Sequence, residues 1–129
     1  MKLLCDEDVG TGVPEALNAV DREARSLFDI GWRTFEDTRW LTLAGQGDWL
    51  IFSKNKRMLL VKDERDTIIR DRLGIVYLTT GNEHPYNVLK VLLAKWDTLE
   101  LLDKILPRPF ARFLSPNGRI SSQYRQFKL

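Results

Sequence analysis

The chain has 129 residues, 43% of them hydrophobic and 29% charged, with a formal net charge of +2. That amounts to one domain with apolar material for a single core, and one cysteine and one histidine exclude an internal disulfide, a cysteine-based zinc cluster and a His-rich metal site. No apolar run approaches the roughly 18 residues of a membrane span, and Met1-Lys2-Leu3-Leu4 runs into Cys5-Asp6-Glu7-Asp8 with no signal-peptide core, so a cytoplasmic protein is expected.

Leu3-Leu4-Cys5 is a short apolar run ending in acids and reads as a buried first strand. Gly10-Thr11-Gly12 breaks the chain without the Gly-Lys-Ser/Thr of a phosphate-binding loop. Val13, Ala16, Leu17 and Val20 then repeat at helical spacing, with Pro14 in the first turn. Ala24 to Ile30 is predicted as a second strand, ended by Gly31. Asp37 precedes a short helix, Thr38 to Ala44, stopped by Gly45 and Gly47. Trp49 to Ser53 is a continuous apolar run, as parallel sheets require.

The basic loop Lys54-Asn55-Lys56-Arg57 follows. Asp63 to Leu73 reads as a charged helix with Ile68, Ile69 and Leu73 inward, and Ile75 to Thr79 as the next strand. Pro85 opens a long helix to about Leu106, with Val88, Leu92, Trp96, Leu99 and Leu102 facing the core. Phe110 to Leu114 and Arg119 to Tyr124 flank Ser115-Pro116-Asn117-Gly118, a hairpin signal. Strands alternating with helices predict an α/β fold around a mostly parallel sheet.

The near-zero net charge hides a gradient. Residues 1–53 carry 5 basic and 10 acidic side chains, residues 54–103 carry 9 and 8, and residues 104–129 carry 6 and none. Two surfaces with different tasks would produce this segregation, and so would ordinary solvation of the fold.

The chemistry candidates follow from the ends of the predicted strands. Asp6, Glu7 and Asp8 stand at the C-terminal end of the first strand, and Asn55 lies just past another. Asp37 begins the helix leading to that second strand. In an open parallel sheet, ligands bind in the crevice outside these ends. Oxygen donors there suit Mg²⁺ or Mn²⁺. Lys54, Lys56 and Arg57 beside them suit phosphate. Each residue also has a plainer reading: Asp37 as a helix N-cap, Asp6-Glu7-Asp8 as solvated turn acids, Asn55 as a turn residue, the basic loop as a solvated one. Cys5 reads as a small core residue and His84 as structural. Ser53, Thr79 and Thr80 have no histidine partner and are assigned no catalysis. Trp40, Trp49 and Trp96 fit core faces, and Trp32 lies near a turn.

An ordered set of segments resembles short PIN-like domains related to VapC-type toxins. Leu3-Leu4-Cys5-Asp6-Glu7-Asp8 is similar to that family's opening strand, which ends in Asp-Glu-Asn. Asp37 to Ala44 resembles its Asp-led helix, and Trp49 to Met58 its strand followed by Thr-Lys/Arg-Asp. Leu78-Thr79-Thr80-Gly81-Asn82 resembles a later Thr-Gly-Gly-Asn segment. Pro109 to Arg112 and Asn117 to Ile120 resemble a C-terminal hairpin.

The resemblance implies a single PIN-like domain over residues 1–129. It would be a three-layer α/β fold with a central, mostly parallel sheet and a C-terminal β-hairpin at about 109–124. It implies a metal-dependent endoribonuclease, the toxin half of a toxin–antitoxin pair. RNA would be its substrate and a small antitoxin protein its partner; related toxins often form homodimers. Carried over by position, Asp6, Asp37 and Asn55 are the catalytic candidates. Asp6, Asp8 and Asp37 are the ligands for Mg²⁺ or Mn²⁺, and Lys54, Lys56 and Arg57 are the RNA-binding residues. Glu64 aligns with a glutamate that some variants carry.

One departure weighs against catalysis. Asn55 stands where the family has Asp, and an amide oxygen ligates a cation without bringing charge. Asp8 stands where the family has Asn, so the two positions have exchanged residues. That exchange compensates only if Asp8 and Asn55 are neighbours. The alternative is a PIN-like module without catalysis that binds RNA or a protein partner.

Overall fold

A computed structural model describes residues 1–129. Six strands form one sheet: β1 (Leu3–Cys5), β2 (Ala24–Ser26), β3 (Leu50–Ser53), β4 (Gly74–Leu78), β5 (Phe110–Leu114) and β6 (Ile120–Ser121). Their order is β2-β1-β3-β4-β5-β6, parallel throughout except for the antiparallel β5–β6 hairpin. Four helices cross between them: α1 (Gly12–Ala19), α2 (Asp37–Gln46), α3 (Lys62–Arg70) and α4 (Pro85–Ile105). This is the expected three-layer α/β arrangement with a C-terminal hairpin.

The layers follow from strand alternation. Leu3, Cys5, Leu50, Phe52, Val76 and Leu78 face one side, where Val13 and Leu17 of α1 and Val88, Leu92, Trp96 and Leu99 of α4 cover them. Leu4, Ile51, Ile75 and Tyr77 face the other, beneath Trp40, Leu41 and Ala44 of α2 and Ile68 of α3. Because both faces are covered, the strands read as unbroken apolar runs. No helix is long and apolar enough to cross a membrane.

Several boundaries differ from expectation for local reasons. β2 stops at Ser26 instead of running to Ile30. Asp29 N–H donates to Ser26 Oγ at 3.0 Å and Ser26 N–H to Asp29 Oδ2 at 3.2 Å, which turns the chain at once. α2 begins at Asp37 itself with Glu36 as its N-cap, so Asp37 is not the cap. Ile69 and Val20 are exposed and Leu102 is half-buried, because α3, α1 and the end of α4 present narrower apolar faces than the spacing suggested. Trp40 and Trp96 are core residues, whereas Trp49 is only half-buried. His84 is a structural cap: its Nδ1 accepts the Tyr86 N–H at 3.1 Å, one residue before Pro85 opens α4. Cys5 is fully buried, and burial pushes its thiol well above its ordinary pKa, so it packs and does not react.

The topology makes one crevice. From β1 the chain crosses through α1 to β2 on one side, and from β2 it crosses through α2 to β3 on the other side of β1. Between the C-terminal ends of β1 and β3 the connections leave in opposite directions, which opens a gap at the sheet edge. α2 and α3 run back against the strands, so their N-termini face the same edge and bring partial positive charge to it.

Candidate metal centre

Asp6 follows β1 directly. Its N–H still pairs with Phe52 O of β3 at 2.9 Å, which carries the sheet one residue past the strand. Its side chain then caps the short 3₁₀ turn Glu7–Val9, with Oδ1 accepting Glu7 N–H at 2.6 Å. Asp6 is 7% exposed. Its other oxygen accepts the Ser53 hydroxyl at 2.8 Å.

Asp8 sits on that 3₁₀ turn and reaches across the crevice to β3's end. Both of its oxygens accept the Lys54 N–H at 3.2 Å, and Ser53 Oγ lies 3.5 Å from Oδ2. Ser53 also accepts the Asn55 N–H at 2.9 Å. The Ser53 hydroxyl thus donates to Asp6 and accepts from the Asn55 backbone, while the Lys54 N–H holds Asp8. Asp8 and Asn55 line the same open cleft with Asp6, Glu7, Asp37, Lys54 and Gly81.

Asp37 enters from the first position of α2, where its Oδ1 accepts the Trp40 indole N–H at 2.9 Å. Glu64, in the first turn of α3, stands close enough to Asp37 to donate a hydrogen bond to it when protonated. Both positions are electrostatically suited to a helix N-terminus.

Burial and crowding raise the affinity of Asp6, Asp8 and Glu64 for protons. Burial pushes the Asp6 carboxyl up to about 7, helped by the charges of Asp8 and Asp37 and opposed by the Ser53 and Glu7 hydrogen bonds. Burial also raises Asp8, against the Lys54 N–H and ammonium. Glu64 rises to about 7 through burial, its bond to Asp37 and the charges of Asp37 and Asp6. A cluster that holds protons this firmly lacks positive charge, which a divalent cation would supply.

The donor set fits such a cation. Carboxylate and amide oxygens are hard ligands, and no soft ligand faces the cleft. As the side chains stand, no three acidic, histidine or cysteine residues converge closely enough to hold an ion alone. That suits Mg²⁺, which usually keeps several waters and takes one or two carboxylates, better than an all-protein cage.

The basic residues separate. Lys54 lines the cleft. Arg57 is exposed on the 3₁₀ turn Lys56–Leu59. Lys56 is turned inward: its ammonium donates to Thr79 O at 3.0 Å and Leu78 O at 3.4 Å, and stands 5.7 Å and 5.9 Å from the ring centres of Tyr124 and Phe127. It ties the β3 loop to the end of β4 and to the C-terminal tail. Lys56→Met is therefore expected to cost about 1–2 kcal/mol of stability, read as a lower urea midpoint, because it strips donors from two carbonyls. An unchanged midpoint would contradict the tie.

Sequence reasoning missed Ser53 as an organiser, having weighed it only as a nucleophile. The available signal was its place in the resemblance, where the family has Thr. Glu64 was indicated by alignment alone, and its link to Asp37 appears only when α2 and α3 pack side by side.

A family model described as PIN like domain matches residues 1–80, well over half of the chain. No curated protein and no solved structure matches it. The matched segment contains Asp6, Asp8, Asp37, Ser53, Asn55 and Glu64, and ends before α4 and the hairpin.

Proposed function

Since the chain belongs to the PIN-like domain family, whose members are typically nucleases and generally depend on divalent metal, we propose that it is a metal-dependent endoribonuclease. The observation that carries this reading is that Asp6, Asp8 and Asp37 line one open cleft at the ends of β1 and β3, with Glu64 beside Asp37. Asp6 and Asp37 would hold Mg²⁺ or Mn²⁺, with Asp8 beside them and Asn55 as a neutral oxygen donor or water-positioning group. When bound, the cation would polarise a phosphoryl oxygen and acidify water. Ser53 keeps Asp6 in place, and the Lys54 N–H keeps Asp8. Glu64, beside Asp37, adds negative charge to the site once ionised. Lys54 offers a cation for an adjacent phosphate.

Incubation with single-stranded RNA tests the proposal. Cleavage is expected with Mn²⁺ and should disappear with EDTA or in Asp6→Ala. Cleavage indifferent to both would overturn the site. The role of toxin, with a small antitoxin protein as partner and homodimerisation, rests on the resemblance to VapC-type toxins alone.

Asn55 favours a second reading, a PIN-like module that binds RNA or a protein without cutting. The discriminating variant is Asn55→Asp. Metal binding that appears only in the variant supports the module, and tight Mn²⁺ binding by the natural protein counts against it.

A further inference from the structure

We propose that the groove beside the β5–β6 hairpin is a subsite for single-stranded RNA, holding a segment of strand a few nucleotides from the acidic cleft. This rests on the ribonuclease reading of that cleft and adds where its substrate lies. The groove is lined by Thr79, Ser115, Asn117, Arg119, Tyr124 and Arg125 among others, and all but Thr79 lie beyond the residues the family model matches.

Placement is the first support. The cleft is built on the ends of β1 and β3, and the groove on the ends of β4 and β5. Thr79 lines the groove and Gly81 lines the cleft, so two residues of one connection border both. Two strand spacings separate β3 from β5, about 10 Å. A strand lying across the sheet edge would pass from one to the other without leaving the surface.

Charge is the second support. A carboxylate cluster repels phosphates, so a bound strand needs cations nearby. Lys56 is committed to carbonyl oxygens. Arg119 and Arg125 are exposed, and neither forms an ion pair. They belong to the segment 104–129, which has six basic residues and no acid. Two free guanidiniums on one groove suit a phosphate backbone.

The third support is a fixed aromatic face. Tyr124 is half-buried and stacks on Phe113 with ring centres 6.3 Å apart. The Arg125 guanidinium lies 5.1 Å from its ring centre. Tyr124 and Phe127 exchange backbone bonds of 3.0 Å and 2.8 Å, closing a tight turn with Arg125 at φ 52. A non-glycine residue in that left-handed region is held there only by surrounding contacts. Together they set an aromatic ring and a cation at one place, as sequence-tolerant stacking of unpaired bases requires. Ser115, Asn117 and Ser121 add polar groups along the same groove.

Fluorescence anisotropy with a labelled single-stranded octaribonucleotide, in EDTA so that nothing is cut, tests the groove on the full chain. Arg119→Ala with Arg125→Ala is expected to weaken binding at least tenfold. It should also lower the slope of log affinity against log salt by about 1.4, two phosphate contacts' worth. Tyr124→Leu should weaken binding about five- to a hundredfold and Tyr124→Phe should retain it. Lys104→Ala, an exposed charge near the far end of α4, should change nothing. Affinities within twofold of wild type in folded arginine and leucine variants would overturn the proposal, as would no wild-type binding of RNA. Binding that these variants weaken supports the groove even if Mn²⁺ elicits no cleavage, a result that would count against the cleft alone.

Discussion

Asp6→Asn is expected to abolish cleavage while making the metal-free protein more stable at pH 8. The activity loss follows from position. Asp6 stands at the crevice floor, is 7% exposed, and is held by both Ser53 and the Glu7 N–H. Removing even an outer hydrogen-bond partner of a metal ligand costs about 10–100-fold, so losing the central carboxylate should cost at least about 100-fold.

The stability gain follows from linkage. The folded protein raises the Asp6 carboxyl from 3.8 to about 7, so between those values the folded state binds a proton that the unfolded chain has released. The stability linked to that proton is fully present below about pH 4 and is lost as pH rises through about 7. At roughly 1.36 kcal/mol per unit, the ionised group costs the fold up to about 4 kcal/mol at pH 8. Asparagine removes the charge and can still accept from Glu7 N–H and pair with Ser53. Calorimetric melting in EDTA should show wild type more stable at pH 5 than at pH 8, and a shallower decline in the variant, where the raised Glu64 and Asp8 carboxyls remain. A variant that melts below wild type at pH 8 would show that Asp6 is there for the fold.

Loading the cleft with Mn²⁺ is the second large effect. At a hundredfold excess over its dissociation constant the ion should stabilise the protein by about 2.7 kcal/mol. The gain should be larger at pH 8 than at pH 5, because a proton on Asp6 competes with the metal and a proton on Glu64 removes negative charge beside Asp37. Glu64→Gln should weaken the ion by about tenfold, since it removes a negative charge beside Asp37. Equal stabilisation at both pH values would place the metal elsewhere.

Much of this fold was legible in the sequence because its strands are buried on both faces. Leu3-Leu4-Cys5, Leu50-Ile51-Phe52 and Ile75-Val76-Tyr77 are apolar runs too short for helices and unbroken by polar residues. Asn117-Gly118 marked the β5–β6 hairpin, although its second strand is only two residues long. Boundaries decided by side chains were not legible: the paired bonds of Ser26 and Asp29 shorten β2, and Glu36 takes the cap expected of Asp37.

The site was half legible for a similar reason. Acids at strand ends can be read from spacing, and Asp6, Asp8 and Asp37 border one cleft without converging on one point. Contacts between distant segments cannot. Ser53 joins residues more than forty positions apart. Glu64 matters because α2 and α3 pack together, and Lys56 is committed by carbonyls more than twenty residues later. Spacing gave its ammonium the same freedom as that of Lys54.

Titration calorimetry with Mn²⁺ at pH 7, run in two buffers of different ionisation enthalpy, tests the metal centre most directly. One site per chain is expected. Binding should release protons, because burial raises the Asp6 and Glu64 carboxyls and the ion favours their charged forms. Asp6→Asn should remove the binding. Absence of binding, or binding that releases no proton and survives in Asp6→Asn, would contradict a metal site between β1 and β3.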